Sequence, residues 1–211
     1  MYDCVKVSSP KRLIVALTGA TGVVYGVRLL EMLQDTDVET HLVISPWGRR
    51  TLLHETSYTV DQVQRLADVT YLPNDQGAAI SSGSFLTSGM VVAPCSMRTL
   101  ASIANGHADH LIHRAADVTL KERRKLVLLV RESPLNDIHL ENMLKLSRMG
   151  VVILPPMPAF YNHPHSIDDV VDHIIMRTLD QFDIHLNLAQ RWQGEMSSSP
   201  NLIPVGDKSS G

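Results

Sequence analysis

Five apolar runs, each followed by a stretch of helical spacing, constrain this chain more than anything else in it. Leu13-Ile14-Val15-Ala16-Leu17, Thr40-His41-Leu42-Val43-Ile44, Gly89-Met90-Val91-Val92-Ala93, Leu126-Val127-Leu128-Leu129-Val130 and Val151-Val152-Ile153-Leu154 read as buried strands. Helices are predicted over Val23 to Gln34, from Pro46 through Glu55, near Asp61 to Leu66, over Met97 to Asn105, Asp109 to Arg123, His139 to Met149 and Ile167 to Phe182. Ser166 and Asp169 form the expected cap of the last one. Between Ser57 and Ser88 the signals weaken, and Ser81-Ser82-Gly83-Ser84 reads as a mobile loop. Strand and helix alternating in this way predict an α/β fold: a Rossmann-like or flavodoxin-like, doubly wound parallel sheet in three α/β/α layers.

The 211 residues, 44% of them hydrophobic, suffice for one full core, so a single domain over 11–192 is expected, with disordered ends at 1–10 and 193–211. A net charge of −3 argues against nucleic acid as partner, because polyanions are bound by clustered Lys and Arg. No apolar run is long enough to cross a bilayer, and two cysteines, Cys4 and Cys95, build no disulfide framework. A reducing compartment follows as an expectation: the cytoplasm, with the mitochondrion as the alternative because the first dozen residues hold some basic residues and serines.

Chemistry is expected where strands end, since ligands of open α/β sheets bind at the carboxyl edge. Arg131-Glu132 stands there, directly after the run ending at Val130. The turn Gly19-Ala20-Thr21-Gly22, with Gly26 behind it, offers backbone amides at a helix start, which suits a phosphate or a flat cofactor. It nearly matches a nicotinamide reductase fingerprint. Ser45 stands where a dinucleotide site wants an acidic residue, however, and the Tyr-x-x-x-Lys pair occurs only as Tyr2 and Lys6. Ser96-Met97-Arg98-Thr99 gathers hydroxyls, amides and a guanidinium at another strand end. Cys95 reads as a small buried residue rather than a nucleophile. Arg114, Lys121, Arg131 and Arg177, with Tyr161, are far apart in sequence but can converge on an anionic group. Asp168-Asp169-Val170-Val171-Asp172 matches a magnesium-diphosphate pattern, yet its place at a helix start explains the acids through the macrodipole. His107, His110, His113, His163 and His165 fit no strong zinc spacing and read as surface or packed histidines, so no metal is expected.

Taken in order, Gly19-Ala20-Thr21-Gly22-x-x-Tyr25-Gly26, Pro94-Cys95-Ser96-Met97-Arg98-Thr99-Leu100, Arg114-Ala115-Ala116-Asp117-x-x-Leu120-Lys121-Glu122, Arg131-Glu132-x-Pro134-Leu135, Ile138-His139-Leu140-Glu141-Asn142-Met143-Leu144 and Pro158-Ala159-Phe160-Tyr161-Asn162-His163-Pro164 form one set. That set resembles the UbiX/Pad-type flavin prenyltransferases from about Lys11 to Trp192. The resemblance implies transfer of a dimethylallyl group from dimethylallyl phosphate to N5 and then C6 of reduced FMN, without a metal. The prenylated FMN passes to a UbiD-type decarboxylase. It implies FMN contacts at Gly19, Ala20, Thr21, Ser45, Ser96, Met97, Arg98, Thr99 and Arg131, and prenyl-phosphate contacts at Lys121, Tyr161 and Arg177. Glu132 would move the proton, with Glu55, Arg114 and Trp192 completing the pocket. The chain would be a homo-oligomer, a dodecamer by family resemblance, with flavin sites at subunit boundaries. Thr21 replaces a serine found in many members, keeping the hydroxyl and adding a methyl.

The residues suit that chemistry. Ionising an allylic C–O bond leaves negative charge on phosphate, which Lys121, Arg131, Arg177 and Tyr161 can meet, and positive charge on the allyl group, which the flavin and Trp192 can face. Ring closure at C6 requires loss of a proton, and Glu132 is the carboxylate best placed to take it. Two rivals remain at this point: a flavin-dependent decarboxylase acting directly on phenolic acids or a peptidyl cysteine, and a non-catalytic FMN-binding subunit.

Overall fold

The computed structural model describes residues 11–188 and 191–192; the expected disordered ends lie outside the described residues. Six strands, β1 (Lys11–Leu17), β2 (Val38–Ile44), β3 (Val69–Tyr71), β4 (Gly89–Cys95), β5 (Lys125–Val130) and β6 (Val152–Ile153), pair in the order β3-β2-β1-β4-β5-β6. Every pairing is parallel. This is the Rossmann order; a flavodoxin-like sheet would begin with its second strand at the edge.

Among the described residues seven helices flank the strands: α1 (Val23–Leu33), α2 (Pro46–Glu55), α3 (Val60–Gln64), α4 (Met97–Ala104), α5 (Leu111–Lys121), α6 (Asp137–Arg148) and α7 (Ile167–Asp180). They cover the sheet as two layers with separate cores. One cluster joins Leu13, Val15, Leu17 and Leu129 to Leu29 and Leu30 of α1, Leu52 of α2 and Ile174 and Leu179 of α7. The other joins Ile14, Met90, Val92 and Leu128 to Leu100 of α4, Ile112 and Ala116 of α5 and Leu146 of α6. Alternate residues of each strand thus face opposite layers, which is why the strands lack a polar face. Each fully buried leucine contributes roughly 2 kcal/mol through its apolar area.

Local details show how the sequence sets these packings. Gly26 lets α1 lie against β4: a Cβ there would stand 2.3 Å from the Ala93 carbonyl oxygen. Arg28 of α1 grips Asp172 of α7 with two hydrogen bonds of 2.7 and 3.0 Å. Asp169 caps the start of α7, as expected: Ser166 accepts from the Asp169 amide at 3.1 Å, and the Asp169 carboxylate accepts from the Ser166 amide at 3.0 Å.

The structure departs from expectation mainly between Ser57 and Ser88. β3 is a three-residue edge strand, partly exposed, with no apolar run to announce it. The loop read as mobile is tied down instead, Arg124 donating to the carbonyls of Gly83 and Phe85 at 2.6 and 2.8 Å and Arg114 to that of Ser81 at 3.2 Å. β4 also runs two residues beyond Ala93. Its register with β5 shifts between Val92 and Cys95, the kind of irregularity at which a central strand tolerates proline, here Pro94.

Candidate active site

β1 and β4 are neighbours, but the chain leaves them for opposite layers, α1 on one side and α4 on the other. Their carboxyl ends therefore part, and a crevice of about 440 Å³ opens between them. Thr18 fixes its floor: the buried hydroxyl donates to the Pro94 carbonyl at 2.6 Å and accepts from the Ser96 amide at 2.9 Å. Gly19 follows, and a Cβ there would meet Trp47 Cβ at 2.4 Å, so only glycine lets the β1 turn pass under α2.

Two helices begin at the crevice on hydroxyl caps. Ser45 accepts from the Gly48 amide at 2.9 Å, and Ser96 accepts from the Thr99 amide at 3.3 Å while donating to the Thr99 hydroxyl at 3.1 Å. Ser45, Ser96, Arg98 and Thr99 all line the cavity. Helix amides, hydroxyls and one guanidinium in a concave site fit a phosphate group. Ala20 and Thr21 continue the same turn, and Met97 packs against the core beneath α4. Glu55 reaches this turn from the end of α2, its carboxylate accepting from the amides of Gly22 and Val23 at 2.8 and 3.2 Å. Gly22 takes the left-handed backbone, φ 92°, that turns the chain into α1.

Arg131 and Glu132 emerge from β5 next to β4, the Arg131 amide donating to the Cys95 carbonyl at 3.1 Å. The strand before them is buried, but residues 131 to 138 are solvent-exposed in the single chain. The Glu132 carboxylate is open to solvent and accepts from the Ser133 amide at 3.1 Å. Tyr25, on the first turn of α1, feels the Arg131 charge, which lowers its phenol pKa against a larger rise from burial. Cys95 is fully buried and burial pushes its thiol well up, as befits a packing residue.

The remaining predicted residues fall into two groups on opposite layers. On α5, Lys121 pairs with Glu122, and Arg114 donates to Asp117 at 2.7 Å. On the α7 side, the Tyr161 hydroxyl lies 2.9 Å from His173 Nε2, and its ring meets Trp192 edge to face at 5.7 Å. Burial, followed by the charges of Arg177 and Arg191, lowers the His173 pKa, so a neutral imidazole holds the phenol. Arg177 reaches Asp180 at 3.3 Å, and Arg191 takes the same carboxylate through two bonds of 2.8 Å. The chain thus brings Gly19, Ser45, Ser96, Arg98 and Thr99 together and keeps Lys121 and Arg114 apart from Tyr161, Arg177 and Trp192. Sequence reasoning gave Thr18, Trp47 and His173 no role here, although His173 stands one helical turn before Arg177, and it read His110 and His113 only as surface or packed histidines. Among the described residues no three metal-ligating side chains form a group.

A Rossmann-ordered sheet with such a crevice at its switch point defines a nucleotide-phosphate-binding α/β protein. Residues 5–179 match the model of the flavoprotein family. A probable UbiX-like flavin prenyltransferase from Bacillus subtilis (strain 168) is 64% identical over 183 residues, 87% of this chain and 90% of the relative. A solved structure of a dodecameric FMN-dependent UbiX-like decarboxylase from Escherichia coli O157:H7 superposes with a TM-score of 0.85 at 59% identity, over 87% of this chain and 100% of that one. AnUbiX (PadA1), solved with FMN and dimethylallyl pyrophosphate, gives 0.88 at 50% identity over 89% and 100%. The chain belongs to the flavoprotein family, among its UbiX/Pad-type flavin prenyltransferases.

Proposed function

We propose that this chain transfers a dimethylallyl group from dimethylallyl phosphate to reduced FMN, giving prenylated FMN for a UbiD-type decarboxylase. The observation that carries the reading is the juxtaposition at the sheet edge: a phosphate-ready crevice at the β1/β4 switch point, with Arg131 and Glu132 on the adjoining strand end. FMN supplies the flavin ring that is alkylated. Gly19, Ser45, Ser96, Arg98 and Thr99 hold it by its phosphate arm, with Ala20, Thr21 and Met97 completing the wall. Glu55 keeps the glycine turn in shape. Arg131 offsets anionic charge beside the ring, and the open Glu132 carboxylate takes the proton released on ring closure.

Lys121, Tyr161 and Arg177 offset the charge that develops on the leaving phosphate, Arg114 supports them, and the Trp192 ring faces the allyl group. Lys121 stands at the far end of α5 from the turn that lines the crevice, so it reaches a crevice through a second copy. Assembly is supported by apolar side chains standing exposed near the site, Ile138, Leu140 and Leu144 on α6 and Met157 and Phe160 after β6. The dodecameric relative supports it further.

The test is anaerobic. The protein is mixed with FMN, dithionite and dimethylallyl phosphate, and the flavin is analysed by mass spectrometry. The expected product is heavier by one isoprenyl unit. Unchanged flavin together with consumption of a phenolic acid by this chain alone would instead establish a direct decarboxylase.

A further inference from the structure

His113, on the first turn of α5, is 3% exposed, yet among the described residues neither of its ring nitrogens has a hydrogen-bond partner. It stacks on His110, ring centroids 3.9 Å apart and 27° between planes, and the His110 Nδ1 is likewise buried without a partner. Buried polar atoms are satisfied almost everywhere in native proteins, so orphans of this kind call for a ligand or a function. Both rings line the β1/β4 crevice, alongside Ser45, Ser96, Arg98 and Thr99. Burial foremost, then the charge of His110, hold the His113 pKa down to about 4, with Arg98 and His107 acting the same way against Asp109. A neutral imidazole offers one N–H donor and one bare acceptor nitrogen.

We propose that His113, braced by its stack on His110, belongs to the flavin site and donates a hydrogen bond to the phosphate group of FMN. The phosphate oxygens accept what the imidazole N–H donates, whereas the dimethylbenzene edge of the flavin accepts nothing. The assignment rests on the flavin reading above and adds to it a residue that senses the phosphate.

The experiment compares FMN and riboflavin binding to flavin-free protein by quenching of flavin fluorescence, in wild type, His113→Leu and His113→Gln. His113→Leu is expected to weaken FMN binding by about tenfold or more, the loss of one hydrogen bond to a charged group, and to change riboflavin binding by less than about twofold. His113→Gln, which keeps an N–H, regains most of the FMN affinity. The thermal midpoint of the flavin-free leucine variant stays level or rises, since leucine leaves no buried polar atom unsatisfied. Unchanged FMN affinity, an equal loss for both flavins, or a fall in the flavin-free midpoint with no specific loss of FMN would overturn the inference. Should the leucine variant fail to fold, histidine C2 hydrogen–deuterium exchange in the wild type decides: the His113 rate must change with FMN and not with riboflavin. Wild-type protein that binds no FMN overturns the flavin reading along with this inference; FMN binding indifferent to His113 overturns this inference alone.

Discussion

The crevice and the cation clamp are built in opposite ways. Thr18, Ser45 and Ser96 are each fixed by bonds of 2.6 to 3.3 Å to backbone atoms of the same chain, so the crevice is complete before any partner arrives. Lys121 ends α5 on one side of the sheet, whereas Tyr161, in the turn after β6, and Arg177 of α7 lie on the other. In the single chain the clamp charges are spent on local acids, Glu122 and Asp180. On the proposed function, the phosphate end of the flavin is held by the fold of one chain, whereas the prenyl-phosphate clamp is gathered only on assembly.

The largest effect should come from Glu132→Gln. FMN affinity stays within about twofold while formation of the ring-closed product slows by about 10² to 10⁴, the usual contribution of a general base, and flavin attached to the prenyl unit by a single bond accumulates in the mass spectrum. Loss of FMN binding would move Glu132 to the crevice side of the comparison. Lys121→Ala should slow transfer by about 10² to 10³ with FMN binding again retained. These two variants together test the division directly. Co-assembled at equal amounts, they should recover about a quarter of wild-type activity if Lys121 and Glu132 of one site come from different chains, and none if they come from the same chain.

Smaller effects probe each region alone. Thr18→Val removes a donor from the buried Pro94 carbonyl and an acceptor from the partly buried Ser96 amide; unfolding in urea should show a loss of about 1 to 3 kcal/mol, accompanied by weaker FMN binding. On the clamp side, the bonds from Arg191 hold the Asp180 carboxyl at about 2, below its ordinary 3.8. A depressed folded pKa stabilises above the unfolded value, and this stabilisation disappears as pH falls from about 4 toward 2. Asp180→Asn should remove about 1 to 2 kcal/mol at neutral pH and flatten the acid limb of the stability curve, while leaving FMN affinity unchanged.

Much of this was legible in the chain. Continuous apolar runs located five of the six strands, because a strand buried on both faces carries its signature in its own residues. β3 carries none, being a short edge strand whose Val69, Thr70 and Tyr71 are only partly covered. The crevice residues were legible because each follows a strand directly. Thr18 follows a strand just as directly, but its role was not legible, since its partners lie 76 and 78 residues away. Nor does spacing reveal that Lys121 and Arg177 face opposite layers: both end amphipathic helices, and only the order of the sheet decides which side each helix covers. His113 was read as a packed histidine, which it is, but packing alone does not satisfy its nitrogens.

The contact of Glu55 with the start of α1 reaches further than the shape of a turn. In a dinucleotide enzyme that helix start is left bare, so that a pyrophosphate can settle on it. Here a carboxylate of the chain already sits on the Gly22 and Val23 amides. The protein carries a built-in decoy for the very anion its glycine turn advertises, and an incoming dinucleotide would meet like charge at that berth. The serine-capped helices across the crevice are left to receive the phosphate.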